Sequence, residues 1–157
     1  MLLLALLAQT SHGWIVSDIT DNSTGKRQVS ATQISENEIL GDDFSALSFS
    51  CFEGEVEMLL RWPGTITEKY VPVTIQWGSG AESKALGQAS AWKRSSEGRF
   101  LEIPPDDIKR MIESIPDRLT FRITLHRAYS ETTAYFLSDG MRAAYDRVAA
   151  NCKKPAP

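Results

Sequence analysis

Cysteine is scarce, with only Cys51 and Cys152 in 157 residues, too few for a disulfide-stapled mini-protein. Ten glycines and seven prolines exclude collagen-like and low-complexity chains. Basic excess is absent too. The 17 Lys and Arg are outnumbered by 20 Asp and Glu, giving a net charge of -3, whereas a nucleic-acid binder carries a basic excess or patch. The apolar run Leu2–Ala8 falls far short of the roughly 20 residues that cross a bilayer. What is present is 42% hydrophobic residues, enough for one domain with an ordinary core.

That short run, LLLALLA, is followed by the small and polar Gln9, Thr10, Ser11, His12 and Gly13. It fits a secretory h-region, with cleavage after Ala8, or after Gly13 with Ser11 at minus three. No Lys or Arg precedes it, so residues 1–13 read as a signal peptide truncated by a start codon set downstream of the true one. The competing reading is a buried N-terminal strand or helix of a cytosolic protein. The cysteines argue for export independently. Leu47, Phe49 and Cys51 alternate with Ser48 and Ser50, which places Cys51 on the apolar face of a strand. Met141, Ala144, Tyr145, Val148 and Cys152 recur along one helical stripe. Two inward cysteines behind an export-like leader are expected to form a disulfide between the last helix and an early strand, two buried free thiols being the alternative.

Trp14–Ser17 reads as a first strand and Asp21–Gly25 as a turn. Arg27–Gln33 is a weakly apolar strand, expected at an edge or half-exposed, and Ser35–Asp43 is a polar loop. Ala46–Phe52 and Val56–Trp62 form a hairpin through Glu53-Gly54-Glu55. Val71, Val73, Ile75 and Trp77 mark a further strand, with shorter ones at Ala89–Lys93 and Arg99–Ile103. Pro104-Pro105-Asp106-Asp107 opens a helix with the stripe Ile108, Met111, Ile112 and Ile115, ended by Pro116. Leu119–Leu125 is the clearest strand of the second half, and Thr132–Leu137 pairs back on it. Ser138 is the expected N-cap of the cysteine-bearing helix. This order predicts a single α+β domain over 14–152, a mostly antiparallel sheet or sandwich with two helices, followed by a disordered tail at 153–157.

Motifs that name a reaction are missing. There is no P-loop, no G-x-G-x-x-G and no G-x-S-x-G elbow, so neither a cofactor nor a catalytic residue is assigned. His12 falls in the leader, which leaves His126, read as a solvated or hydrogen-bonded side chain on the outward face of a strand. Two inward cysteines and one histidine do not build a common zinc site. Acids are unevenly spread. Between Gln28 and Leu60 lie seven (Glu36, Glu38, Asp42, Asp43, Glu53, Glu55, Glu57) and no Lys or Arg, leaving 13 of the 20 acids against all 17 bases elsewhere. The ordinary account is a solvated face. The functional account is a docking surface in which Glu53, Glu55 and Glu57 attract a basic partner. The four tryptophans are expected in core or rim packing, an aromatic binding platform being the alternative.

Trp14-x-Val-Ser17, Leu47-x-Phe-x-Cys51 followed by Leu60-x-Trp62, and Ala134-x-Phe-Leu-Ser-Asp-Gly140 leading to Cys152 resemble the VasI family of small exported proteins associated with type VI secretion. The chain departs from that pattern at Gln76-Trp77 and at Arg127-Ala-Tyr129. The resemblance implies a non-enzymatic accessory or protein-binding role, in the periplasm or as a secreted protein, with a secretion component as partner. A secreted hydrolase using a carboxylate pair and an envelope inhibitor or ligand-binding protein are the other readings.

Overall fold

Period-two alternation yields ten strands among residues 13–35, 44–87 and 90–152, which are the residues described by this computed structural model. In chain order they are β1 (Ile15–Thr20), β2 (Arg27–Ile34), β3 (Ala46–Phe52), β4 (Glu55–Arg61), β5 (Tyr70–Trp77), β6 (Lys84–Ala85), β7 (Ser90–Arg94), β8 (Phe100–Glu102), β9 (Thr120–His126) and β10 (Glu131–Leu137). Helix α1 (Pro105–Ser114) lies between β8 and β9, and α2 (Met141–Asn151) follows β10. All strands join one antiparallel sheet in the order β1-β2-β3-β4-β8-β7-β5-β9-β10, with β6 beside β5. The expected leader apart from Gly13, and the expected tail, lie outside the described residues, as do Glu36, Glu38, Asp42 and Asp43.

The sheet curls until its second strand meets its last. Gln33, 2% exposed on β2, donates from Nε2 to the Leu137 carbonyl at 3.1 Å and accepts the Leu137 N–H at 2.8 Å. One side-chain amide therefore bridges β2 to β10 as a strand neighbour would. Of the two placements expected for β2, the edge is corrected and the half-exposed one holds: the strand lies between β1 and β3 with Val29, Ala31 and Gln33 buried and Ser30 and Thr32 between them partly exposed. Its apolar signal is weak because one core-facing position is a hydrogen-bonded amide and another is an alanine beneath α2.

Both helices contribute to one core. From α1 come Ile108, Met111 and Ile112, from α2 Met141, Ala144 and Val148, and all four tryptophans are buried. That burial rules out a tryptophan binding platform. Asp107, read from sequence as a helix-dipole residue, is also buried, where it accepts the Trp92 Nε1–H at 2.8 Å and pairs with Arg110. Ser138 is not the cap of α2; that position is Gly140, with φ of 76°. The Ser138 hydroxyl instead donates to the Pro116 carbonyl at 2.6 Å and accepts the Leu119 N–H at 3.1 Å, pinning the entry to β9. The disulfide forms as expected between Cys51 at the end of β3 and Cys152 at the end of α2, across 101 residues.

Candidate binding groove

Strand β8 is only three residues long, and its shortness shapes a groove in the sheet. It joins β4 through Leu59↔Glu102, Leu60↔Leu101 and Arg61↔Phe100, and β7 through Lys93↔Glu102 and Arg94↔Leu101. The Ile103 N–H still reaches the Met58 carbonyl at 3.0 Å. Pro104 and Pro105 then follow, neither can donate to a ladder, and the chain turns into α1. Beyond that point Glu55–Val56–Glu57 of β4 and Ser90–Ala91 of β7 have no described strand between them. The opening is about 610 Å³.

Val56, Met58, Ile103, Pro105 and Ile108 lie at its base, Met58, Ile103 and Ile108 as core residues that are themselves almost fully buried. Two aromatic rings stand at its rim, Phe52 (56% exposed) and Tyr70 (52% exposed). The polar lining is acidic. Glu53, Glu55, Glu57 and Glu102 face the space with one base, Lys93, which is paired to Glu102 at 3.3 Å. Glu53, Glu55 and Glu57 have no ion-pair partner among the described residues. Partial burial, then the nearby charges of Glu102 and Glu53, push the Glu57 carboxyl above its ordinary value of 4.5.

The hairpin that carries these acids is held at both ends. Its two-residue turn places Glu53 at φ 51° and Gly54 at φ 87°, the mirror-image turn that suits right-twisted strands. Asn, Asp or Gly ordinarily takes the first of those positions. A glutamate there carries the backbone penalty of left-handed φ, and its carboxylate stands at the groove mouth. One residue before Phe52, Cys51 ties the hairpin to α2.

The three glutamates singled out from sequence thus line one groove. Sequence reasoning missed Phe52, which arrives with the β3–β4 hairpin, and Lys93, Glu102 and Tyr70, which join it because β4, β8, β7 and β5 are successive neighbours in the sheet. The adjacent prolines 104 and 105 were the available signal that β8 would stop early.

His126 lies elsewhere, on the outer face of β9. Its Nε2 is 2.8 Å from Thr74 Oγ1 and its Nδ1 is 2.8 Å from Glu131 Oε1, the order of a nucleophile, base and orienter. Glu131, however, is largely in solvent, and Thr74 stands opposite Thr124 in the β5–β9 ladder. Ile75 turns its carbonyl the other way, to Leu86, so the Thr74 N–H is committed to β9 and is no oxyanion donor. The trio cross-links β5, β9 and β10. Among the described residues no group of three or more His, Cys, Asp or Glu is placed to hold a metal ion, and no helix is long and apolar enough to cross a membrane. No family model, curated protein or solved structure matches the chain.

Proposed function

We propose that this chain is a non-enzymatic accessory domain acting outside the cytoplasm, which holds a protein partner by a basic surface in the β4–β7 groove. The observation that carries the reading is three glutamates without ion-pair partners beside an apolar base and two exposed aromatic rings. Charge of one sign at the rim steers and selects a partner, while the aromatic and aliphatic surface supplies affinity. The Cys51–Cys152 disulfide and the secretory character of residues 1–13 support an oxidising compartment, the periplasm by preference. The VasI resemblance points to a type VI secretion component as the partner.

A photo-crosslinking amino acid at Glu55, compared with one at Thr133 on the far hairpin, tests this in the native host. The expected result is a discrete cross-linked partner from position 55 only, lost when Glu53, Glu55 and Glu57 are changed together to Gln. Equal products from both positions, or none from 55, overturn it. The raised Glu57 carboxyl beside Glu102 favours a second reading, a hydrolase with Glu57 as proton donor. Turnover of cell-wall polysaccharide that vanishes in Glu57→Gln but survives Glu53→Gln would move the assignment there.

A further inference from the structure

The groove is a missing strand. Strands β4 and β7 are each antiparallel to β8 and therefore parallel to one another, and at Leu59↔Glu102↔Lys93 they stand one strand apart. Adjacent strands are about 4.8 Å apart, so β4 and β7 are held about 10 Å apart where β8 lies between them, and a gap that keeps this spacing past Pro104–Pro105 has the width that one extended chain fills.

Both walls of that space offer backbone hydrogen bonds. Because Met58 presents its carbonyl to Ile103, the alternation along β4 aims the N–H and C=O of Val56 the same way, into the groove. On β7, Arg94 turns its N–H to Lys69 on the β5 side, so Ala91 aims its backbone groups into the groove from the opposite wall. No described strand pairs with Val56 or Ala91 on that side. An open edge of this kind is a template for strand addition.

The side chains define what would be added. Glu55, Glu57 and Glu102 share the outer face of the sheet, since Leu59↔Glu102 is a cross-strand pair and Glu55, Glu57 and Leu59 alternate along β4. Val56, Met58, Ile103 and Ile108 lie toward the inner face, at the base of the groove. A strand lying between β4 and β7 would set alternate residues against carboxylates and against aliphatic surface.

Building on the binding role above, we infer that the partner docks by contributing an extended segment of alternating basic and apolar residues. It enters the sheet between β4 and β7 in the direction in which β8 runs, with hydrogen bonds to Val56 and Ala91. Charge complementarity selects another polypeptide rather than a second copy of this chain, whose own β4 edge carries the same carboxylates.

The test uses the oxidised protein and a capped, dye-labelled peptide, Lys-Val-Lys-Val-Lys, followed by fluorescence anisotropy. Three comparisons accompany it: the same peptide N-methylated at its central residues, a reordered Lys-Lys-Lys-Val-Val peptide, and the protein with Glu53, Glu55 and Glu57 changed to Gln. Strand addition predicts a loss of about tenfold or more on N-methylation, since donors to both walls vanish with charge unchanged. It predicts a similar loss on reordering, and slowed hydrogen exchange at Val56 and Ala91 with the parent peptide. Equal affinity for all three peptides, abolished by the glutamate changes, overturns strand addition and leaves an electrostatic groove. No binding at millimolar peptide, or binding indifferent to the glutamates, overturns the groove reading as well. If the parent protein binds no peptide and the glutamate variant self-associates, the acids serve only to guard the edge, and the inference fails.

Discussion

Two hairpins of this protein invite comparison, because both pair seven-residue strands and both expose one polar face. In β9–β10 that face is tied to itself and to its neighbour. Thr124 meets Thr133 at 2.9 Å, His126 joins Thr74 and Glu131, and Arg122 binds Gln76, Gly78 and Ser83. In β3–β4 the base of the hairpin is tied in the same manner, Thr32 to Ser48 and Arg61 to the Phe44 carbonyl. Its tip is different. Phe52, Glu53, Glu55 and Glu57 extend over the groove with no such cross-links, and the tip is held instead by a disulfide behind it. A polar face whose groups satisfy one another explains itself as structure, whereas the β3–β4 tip leaves Glu53, Glu55 and Glu57 without ion-pair partners among the described residues and is tied covalently from behind, the contrast on which the proposed binding role rests.

Cutting that tie is the largest way to break the comparison. Replacing Cys51 and Cys152 together with Ala should destabilise the domain by about 4 kcal/mol, from the chain entropy of so long a loop. The melting temperature should fall by about 10 °C or more. Hydrogen exchange should accelerate first at the β3–β4 tip and α2, with β9–β10 following only on global unfolding. The next effect lies at the seam between the two regions. Gln33→Leu removes the amide that serves both backbone groups of Leu137 and should cost about 3 kcal/mol in denaturant titrations, since two buried polar groups lose their partner. Smaller again is His126→Ala, about 1 kcal/mol by the same measurement, because Thr74 and Glu131 regain water as they lose the imidazole.

Much of this was legible before any coordinates. Alternation at Val71, Val73, Ile75 and Trp77 and at Phe121, Ile123 and Leu125 located central strands, and helical spacing carried Cys152 to the core side of α2. The acids at 53, 55 and 57 could be placed on an exposed face because they alternate against buried Met58 and half-buried Val56. What resisted reading was non-local. Gln33 and Ser138 look like surface or capping residues until β10 and the Pro116–Leu119 loop arrive beside them. Pro104 and Pro105 announce a helix, and they did begin one; that they also leave a gap between β4 and β7 depends on strand order, which no local pattern encodes. Asp107 suits the positive end of its helix by position alone, while its partner Trp92 belongs to β7, fifteen residues earlier.

The smallest predicted stability change bears most directly on the proposed function. Changing Glu53, Glu55 and Glu57 together to Gln should leave stability at neutral pH within about 0.5 kcal/mol of the parent, on the favourable side, because the charges removed repel one another. Acid should then separate the two regions by sign. Glu57 has its carboxyl raised in the folded state, so between its ordinary 4.5 and the raised value the folded chain holds more protons than the unfolded one. Stability from this group therefore falls as pH rises through that window. Glu68, held to about 2 chiefly by the guanidinium of Arg127 just after β9, does the reverse: its contribution is present above 4.5 and is lost as pH falls toward 2. Denaturant titrations from pH 3 to pH 7 should show the triple Gln variant losing the first dependence while keeping the second. Arg127→Ala should do the opposite. If both variants lose the same limb, the acids of the groove are coupled to the rest of the charge network, and the distinction between a self-satisfied hairpin and one held open for a partner fails.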